Sequence, residues 1–173
     1  MKTLNRITRS PLLRMLCPAL LMVSAIAAAA PLSSRSAGTV PFRASFDTQF
    51  QVNSAQGPIL HIAVQGQGNA LHMGRSQTFT TNQIVDLTTG ATTATYTVVA
   101  ANGDTAVFQD VFTATQTSGG VTFEGTYTIV GGSGRFSGAT GSGALDGSAV
   151  FTGQNVGVGE FTFNGNISSP ASH

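Results

Sequence analysis

Gly125-Thr126-Tyr127-Thr128-Ile129-Val130-Gly131-Gly132-Ser133-Gly134-Arg135-Phe136-Ser137-Gly138-Ala139-Thr140-Gly141-Ser142-Gly143 says more about the fold than any other stretch of this chain. A run of β-branched and aromatic residues enters it, which suits a strand. The chain then turns glycine-rich around a single aromatic, Phe136, and becomes extended again beyond Gly143. Glycine permits positive φ and close approach of backbones. The reading is a tight corner between two strands. Gly131, Gly132, Gly134, Gly138 and Gly141 shape it, and Phe136 plugs a core behind it. A phosphate-binding loop would end in Lys followed by Ser or Thr and open a helix. No Lys stands here and the continuation is strand-like, so nucleotide binding is set aside.

Outward from the corner, short alternating runs recur between turn residues. Phe46, Thr48, Phe50 and Val52 alternate with Asp47, Gln49 and Gln51, and Leu60, Ile62 and Val64 with His61, Ala63 and Gln65. Met73, Arg75, Gln77 and Phe79 share one face of a third run, and a further short strand is expected over 82–87. Thr93 to Ala101 is extended, and Asn102-Gly103-Asp104 predicts a type I′ hairpin turn. In the returning strand Phe108, Asp110, Phe112 and Ala114 share a face. Ala144 to Thr152 and Glu160 to Ile167 complete the set. Seven to nine closely spaced strands and no helical period after residue 30 predict an all-β fold. A single antiparallel eight-stranded, calycin-like β-barrel is favoured over a sandwich because closure removes exposed edges. Such an interior is filled by side chains or holds one small ligand.

The chain has 173 residues, 41% of them hydrophobic and only 9% charged. Lys2, Arg6, Arg9 and Arg14 precede an apolar run from Leu16 to Ala30 that ends in several Ala-x-Ala sites. This is the pattern of a cleaved secretory signal peptide over 1–30. An uncleaved anchor is the alternative, but ~15 apolar residues is short for a span of ~20. A flexible segment over 31–41, a barrel domain over 42–168 and a tail over 169–173 follow. The expected location is secreted or periplasmic. Beyond residue 30 there are four Arg, no Lys and seven acids, a net charge of −3. That argues against nucleic acid and against anionic membrane surfaces, and no stable membrane insertion is expected after cleavage. Cys17, in the apolar run, is the only cysteine, so the remaining chain has no disulfide, thiolate nucleophile or Cys-ligated metal.

The corner Gly131-Gly132-Ser133-Gly134-Arg135-Phe136-Ser137-Gly138-Ala139-Thr140-Gly141 resembles the Gly-Gly-Thr-Gly-x-Phe-x-Gly-Ala-x-Gly segment of the allene oxide cyclase barrel family. Plant dirigent proteins carry a similar segment. Gly66-Gln67-Gly68-Asn69-Ala70-Leu71-His72-Met73-Gly74-Arg75 resembles a Gly-x-Gly-x-x-x-His-x-Gly-Arg stretch of bacterial exported proteins with this barrel. The resemblance spans roughly 42–168. It implies an eight-stranded barrel with an apolar interior that takes a hydrophobic molecule or a reactive intermediate. The plant cyclases steer ring closure of a fatty-acid epoxide and dirigent proteins steer radical coupling, both by orientation. No catalytic residue carries over from either, because their working polar residues match no position here.

Among the residues themselves, Arg75 is expected to face inward with Met73 and to need an anion there. Asp110, on the Phe108 face, is the natural partner. The pair is either a structural ion pair or a polar anchor for a ligand carboxylate, carbonyl or phenol. Tyr96, Glu124 and Tyr127 are further ligand-binding candidates, with Tyr127 also suited to core packing. His61 and His72 read as structural or surface residues. No third ligand is spaced for a metal site and none is expected. No cofactor motif is present, and no nucleophile elbow accompanies the serines. The expected function is an exported barrel binding a small hydrophobic or aromatic molecule. The alternatives are a cofactor-independent cyclase or isomerase using the same lumen, and an envelope barrel with a filled interior.

Overall fold

The structure, a computed structural model, describes residues 38–168. The expected signal peptide, most of the 31–41 segment and the tail from 169 lie outside the described residues. Eight strands follow in order: β1 (Thr39–Gln56), β2 (Ile59–Ala70), β3 (Gly74–Asp86), β4 (Ala91–Val99), β5 (Thr105–Thr117), β6 (Gly120–Gly132), β7 (Gly141–Phe151) and β8 (Val156–Ser168). Each pairs antiparallel with the next, and β1 pairs with β8 from Thr39↔Ser168 to Gln51↔Val156. The sheet is therefore a closed up-and-down barrel, as the alternation predicted, and no strand is left with an open edge. β1 begins at Thr39, so residues 39–41 are strand and not flexible leader.

Two local expectations are corrected. Residues 82–87 do not form a strand of their own. β3 runs through them to Asp86, past a register irregularity against β2 and β4 that turns Gln83 and Val85 inward. The β4–β5 turn is not type I′, because Gly103 (φ +88°) has positive φ and Asn102 does not. The Gly103 amide donates to the Ala100 carbonyl and the Ala100 amide to the Asp104 carbonyl. This is the longer hairpin connection in which one left-handed residue follows an ordinary turn.

The corner behaves as the sequence predicts. Between β6 and β7 the chain makes one 3-10 turn, Gly134–Phe136, and Phe136 is fully buried. Gly134 has φ +57°, and a Cβ on it would meet the Asp104 carboxylate at 1.8 Å. That carboxylate instead accepts from Arg135 Nε at 3.1 Å, while the guanidinium lies 5.6 Å from the Phe136 ring centroid. The corner is thus tied to the β4–β5 turn. Met73 and Ala100, from the other two connections at this end, are buried beside the same core. Three connections therefore cap one end of the barrel.

Above that cap, rings fill the lumen. Phe108 stacks on Phe163 at 5.1 Å and 16°, and Tyr127 meets Phe163 edge-on at 4.9 Å. Phe42 and Phe46 complete the layer from β1. Aromatic pairs of this geometry each add about 0.5–1.5 kcal/mol beyond area burial. Inward glycines on β7 and β8 make room for them. A Cβ at Gly143 would stand 2.7 Å from Tyr127 Cε1, and one at Gly165 would stand 2.6 Å from its hydroxyl.

Candidate functional site

The other half of the lumen is not filled. A cavity of about 460 Å³ opens at the end carrying the β3–β4 and β5–β6 turns. That volume is within the range of small-molecule sites, ~300–1,000 Å³. Its walls are apolar and aromatic, with Ile62, Val85, Phe112, Phe123, Leu145 and Phe161 among them. They come from strands of period 2 whose inward positions carry these residues, with the outward positions given to Thr, Gln and Ser.

Asp110 lies at the inner end of this cavity. It is the inward residue of β5 between Phe108 and Phe112, and it is 1% exposed. Both of its carboxylate oxygens lack a hydrogen-bond partner. Burial away from water disfavours the charged form and pushes its pKa up to about 8. Across the β4–β5 pair it faces Ala94, and across β5–β6 it faces Tyr127. Tyr96, one inward step along β4, lines the cavity and donates its hydroxyl hydrogen to Gln83 Oε1 at 2.7 Å. Burial, and then the charge of Asp110, raise the Tyr96 pKa far above the usual phenol value. The same two causes push Tyr127 up to about 12.

Of the five residues named from the sequence, the structure brings Asp110 and Tyr96 together in the cavity. Tyr127 lies beneath them in the ring layer, with its hydroxyl unpartnered over Gly165. Arg75 is corrected: it is exposed on the outer face of β3 and pairs with Asn69 of β2, away from Asp110. The inward residues of β3 before its irregularity are Ser76, Thr78 and Thr80. The inversion has a local cause. Met73 is not a strand residue but a buried turn residue between His72 (φ +71°) and Gly74 (φ +71°). Two left-handed residues reset the phase, so parity counted from Met73 assigns the wrong face. Phe79 accordingly lies outside, 45% exposed. Glu124 is also on the outer surface, opposite Thr113 and Asp146.

Gln83 is a site residue that the sequence analysis did not name. The irregularity in β3 turns it inward, and Asn82 is the one turn-favouring residue beside it. The histidines hold backbone and side chain together at the surface. His72 Nε2 donates to the Pro41 carbonyl at 3.0 Å, and His61 Nδ1 lies 2.7 Å from Asn82 Oδ1.

Comparison with known proteins yields one distant likeness. No protein-family model matches the chain, and no curated protein matches it. A solved structure of a pterocarpan synthase dirigent protein is similar over 78% of this chain and 88% of its own, at 13% identity and a TM-score of 0.48. At that distance the likeness carries no argument about chemistry, which rests on the cavity residues alone.

Proposed function

We propose that this is an exported barrel that binds a small, mainly apolar molecule in the cavity between Phe112, Leu145 and Phe161, with Asp110 as its polar contact. The observation that carries the reading is the orphaned carboxyl. A buried polar group without a partner costs about 1–3 kcal/mol, more if charged. Here it stands at the end of an apolar cavity large enough for a ligand. A ligand supplying one polar atom beside a hydrophobic body would offset that cost. The expected filled-barrel alternative applies to the capped half only, since the other half is open.

A cofactor-independent cyclase or isomerase of allene oxide cyclase or dirigent type is the second reading, favoured by one feature. A carboxyl titrating near neutrality can give or take a proton where an apolar wall orients the reactant. The loss of Arg75 from the interior removes the cation that the sequence offered for such chemistry.

The test is native mass spectrometry of the protein purified from its own host, together with titration by the neutral dye Nile red. A co-purified small molecule, or saturable dye binding abolished by Ala149→Phe at the cavity wall, is the expected result. Dye binding that is absent, or unchanged in that variant, would remove the reading.

A further inference from the structure

The charge pattern of the cavity narrows the ligand class. Among the described residues lining it, the titratable side chains are Asp110 at the inner end, Tyr96 beside it and Asp86 at the rim. None of the described lining residues is Lys, Arg or His. The Asp86 carboxylate is held in its charged form by the Thr88 amide, which donates at 2.8 Å, so the entrance carries a negative charge. The groups facing Asp110 from its neighbours are Ala94 and Tyr96 on β4 and Tyr127 on β6. Neither phenol hydrogen-bonds it. Among the described residues the carboxyl therefore has no counter-charge.

A ligand carboxylate would meet Asp86 at the entrance and Asp110 at the end, with no cation to receive it. An alkyl ammonium would meet the reverse. Its charge would find an unpartnered carboxylate, and its body would find the rings of Phe112, Phe123 and Phe161, whose faces attract cations. We propose that the ligand of this cavity is an apolar amine, bound as its ammonium ion against Asp110. The inference rests on the cavity being a ligand site and adds the ligand's charge.

Binding then couples to a proton. Asp110 is mostly protonated at pH 6, because its pKa lies at about 8. An ammonium ion binds the carboxylate form, so one proton leaves Asp110 for solvent as the ion pair forms. Ammonium affinity should therefore rise about tenfold per pH unit between pH 6 and 7 and level off above pH 8.

Calorimetric titration of the full barrel with octylamine, octanol and octanoate at pH 6, 7 and 8 tests this. A permanent cation, octyltrimethylammonium, repeats it without amine titration. The expected order at pH 8 is amine over alcohol by about tenfold or more, a charge-pair difference, with octanoate weakest. Asp110→Asn should bring amine and alcohol together and abolish the pH dependence. Octanol binding that is lost in Ala149→Phe, with no preference for the amine in the wild type, would leave the cavity reading intact and overturn the amine inference. An amine preference that survives Asp110→Asn would overturn it too. No binding of any probe would overturn both.

Discussion

Asp110 and Tyr127 face each other across the β5–β6 pair inside the barrel, and none of their three side-chain oxygens has a hydrogen-bond partner. Neighbouring strands thus deliver two polar side chains into an apolar lumen without satisfying either. The two differ in what surrounds them. Tyr127 is enclosed by Phe42, Phe108 and Phe163, whereas Asp110 borders the open cavity. A ligand entering from the open end therefore reaches the carboxyl first.

The unligated protein should lose stability as pH rises. The folded pKa of Asp110 lies above its unfolded value near 3.8, so the folded state binds the extra proton. That contribution is complete below about pH 4 and is lost as pH rises toward 8, by an amount on the order of several kcal/mol. Urea unfolding midpoints should fall between pH 5 and pH 9. Asp110→Asn should flatten that part of the profile and be the more stable protein at pH 9. A wild-type profile as flat as the variant's would show that Asp110 ionises in the barrel without cost.

Phe136→Ala should destabilise by about 3–5 kcal/mol, the usual range for emptying a buried phenylalanine site. Phe136 is fully buried behind the corner and under the Arg135 guanidinium. Thermal melting checks it, and a midpoint close to wild type would mean that the cap closes without the ring.

Gly134→Ala should cost about 1–2 kcal/mol from the left-handed backbone alone. The added methyl must also displace the Asp104 carboxylate from Arg135. Its melting point should drop further than that of Gly119→Ala, which adds a methyl in open space at a glycine with no positive φ. Equal melting points for the two would contradict the role given to the corner.

Arg75→Ala should change stability by no more than about 0.5 kcal/mol, as for an ordinary surface position. Arg75 is exposed on the outer face of β3. Nile red affinity should also be unchanged. A large loss of either would return Arg75 to the site from which the structure removes it.

Much of the barrel was legible in the chain because period-2 alternation is a local property. Phe46 and Thr48, Ile62 and Val64, and Phe108, Asp110 and Phe112 take the faces their spacing predicts. The glycine corner was legible for the same reason, since positive φ is a one-residue requirement that Gly134 and Gly138 meet. β3 was misread because parity propagates. One left-handed turn at His72–Gly74 and one irregularity before Ile84 each reverse the face of every residue beyond them. The first reversal put Arg75 and Phe79 outside, and the second returned Gln83 and Val85 to the inner face.

The sequence by itself determined the all-β class, the corner with its buried Phe136, and the inward placement of Asp110, because each follows from residues adjacent in the chain. Tertiary structure alone decided that one half of the lumen is packed with rings and the other is open. It also left the Asp110 carboxyl without a partner. Those outcomes depend on which side chains meet across eight strands that only barrel closure brings together. The sum of ring volumes at one level, and the distance from a carboxyl to the nearest cation, are set by register between strands and are written in no single stretch of sequence.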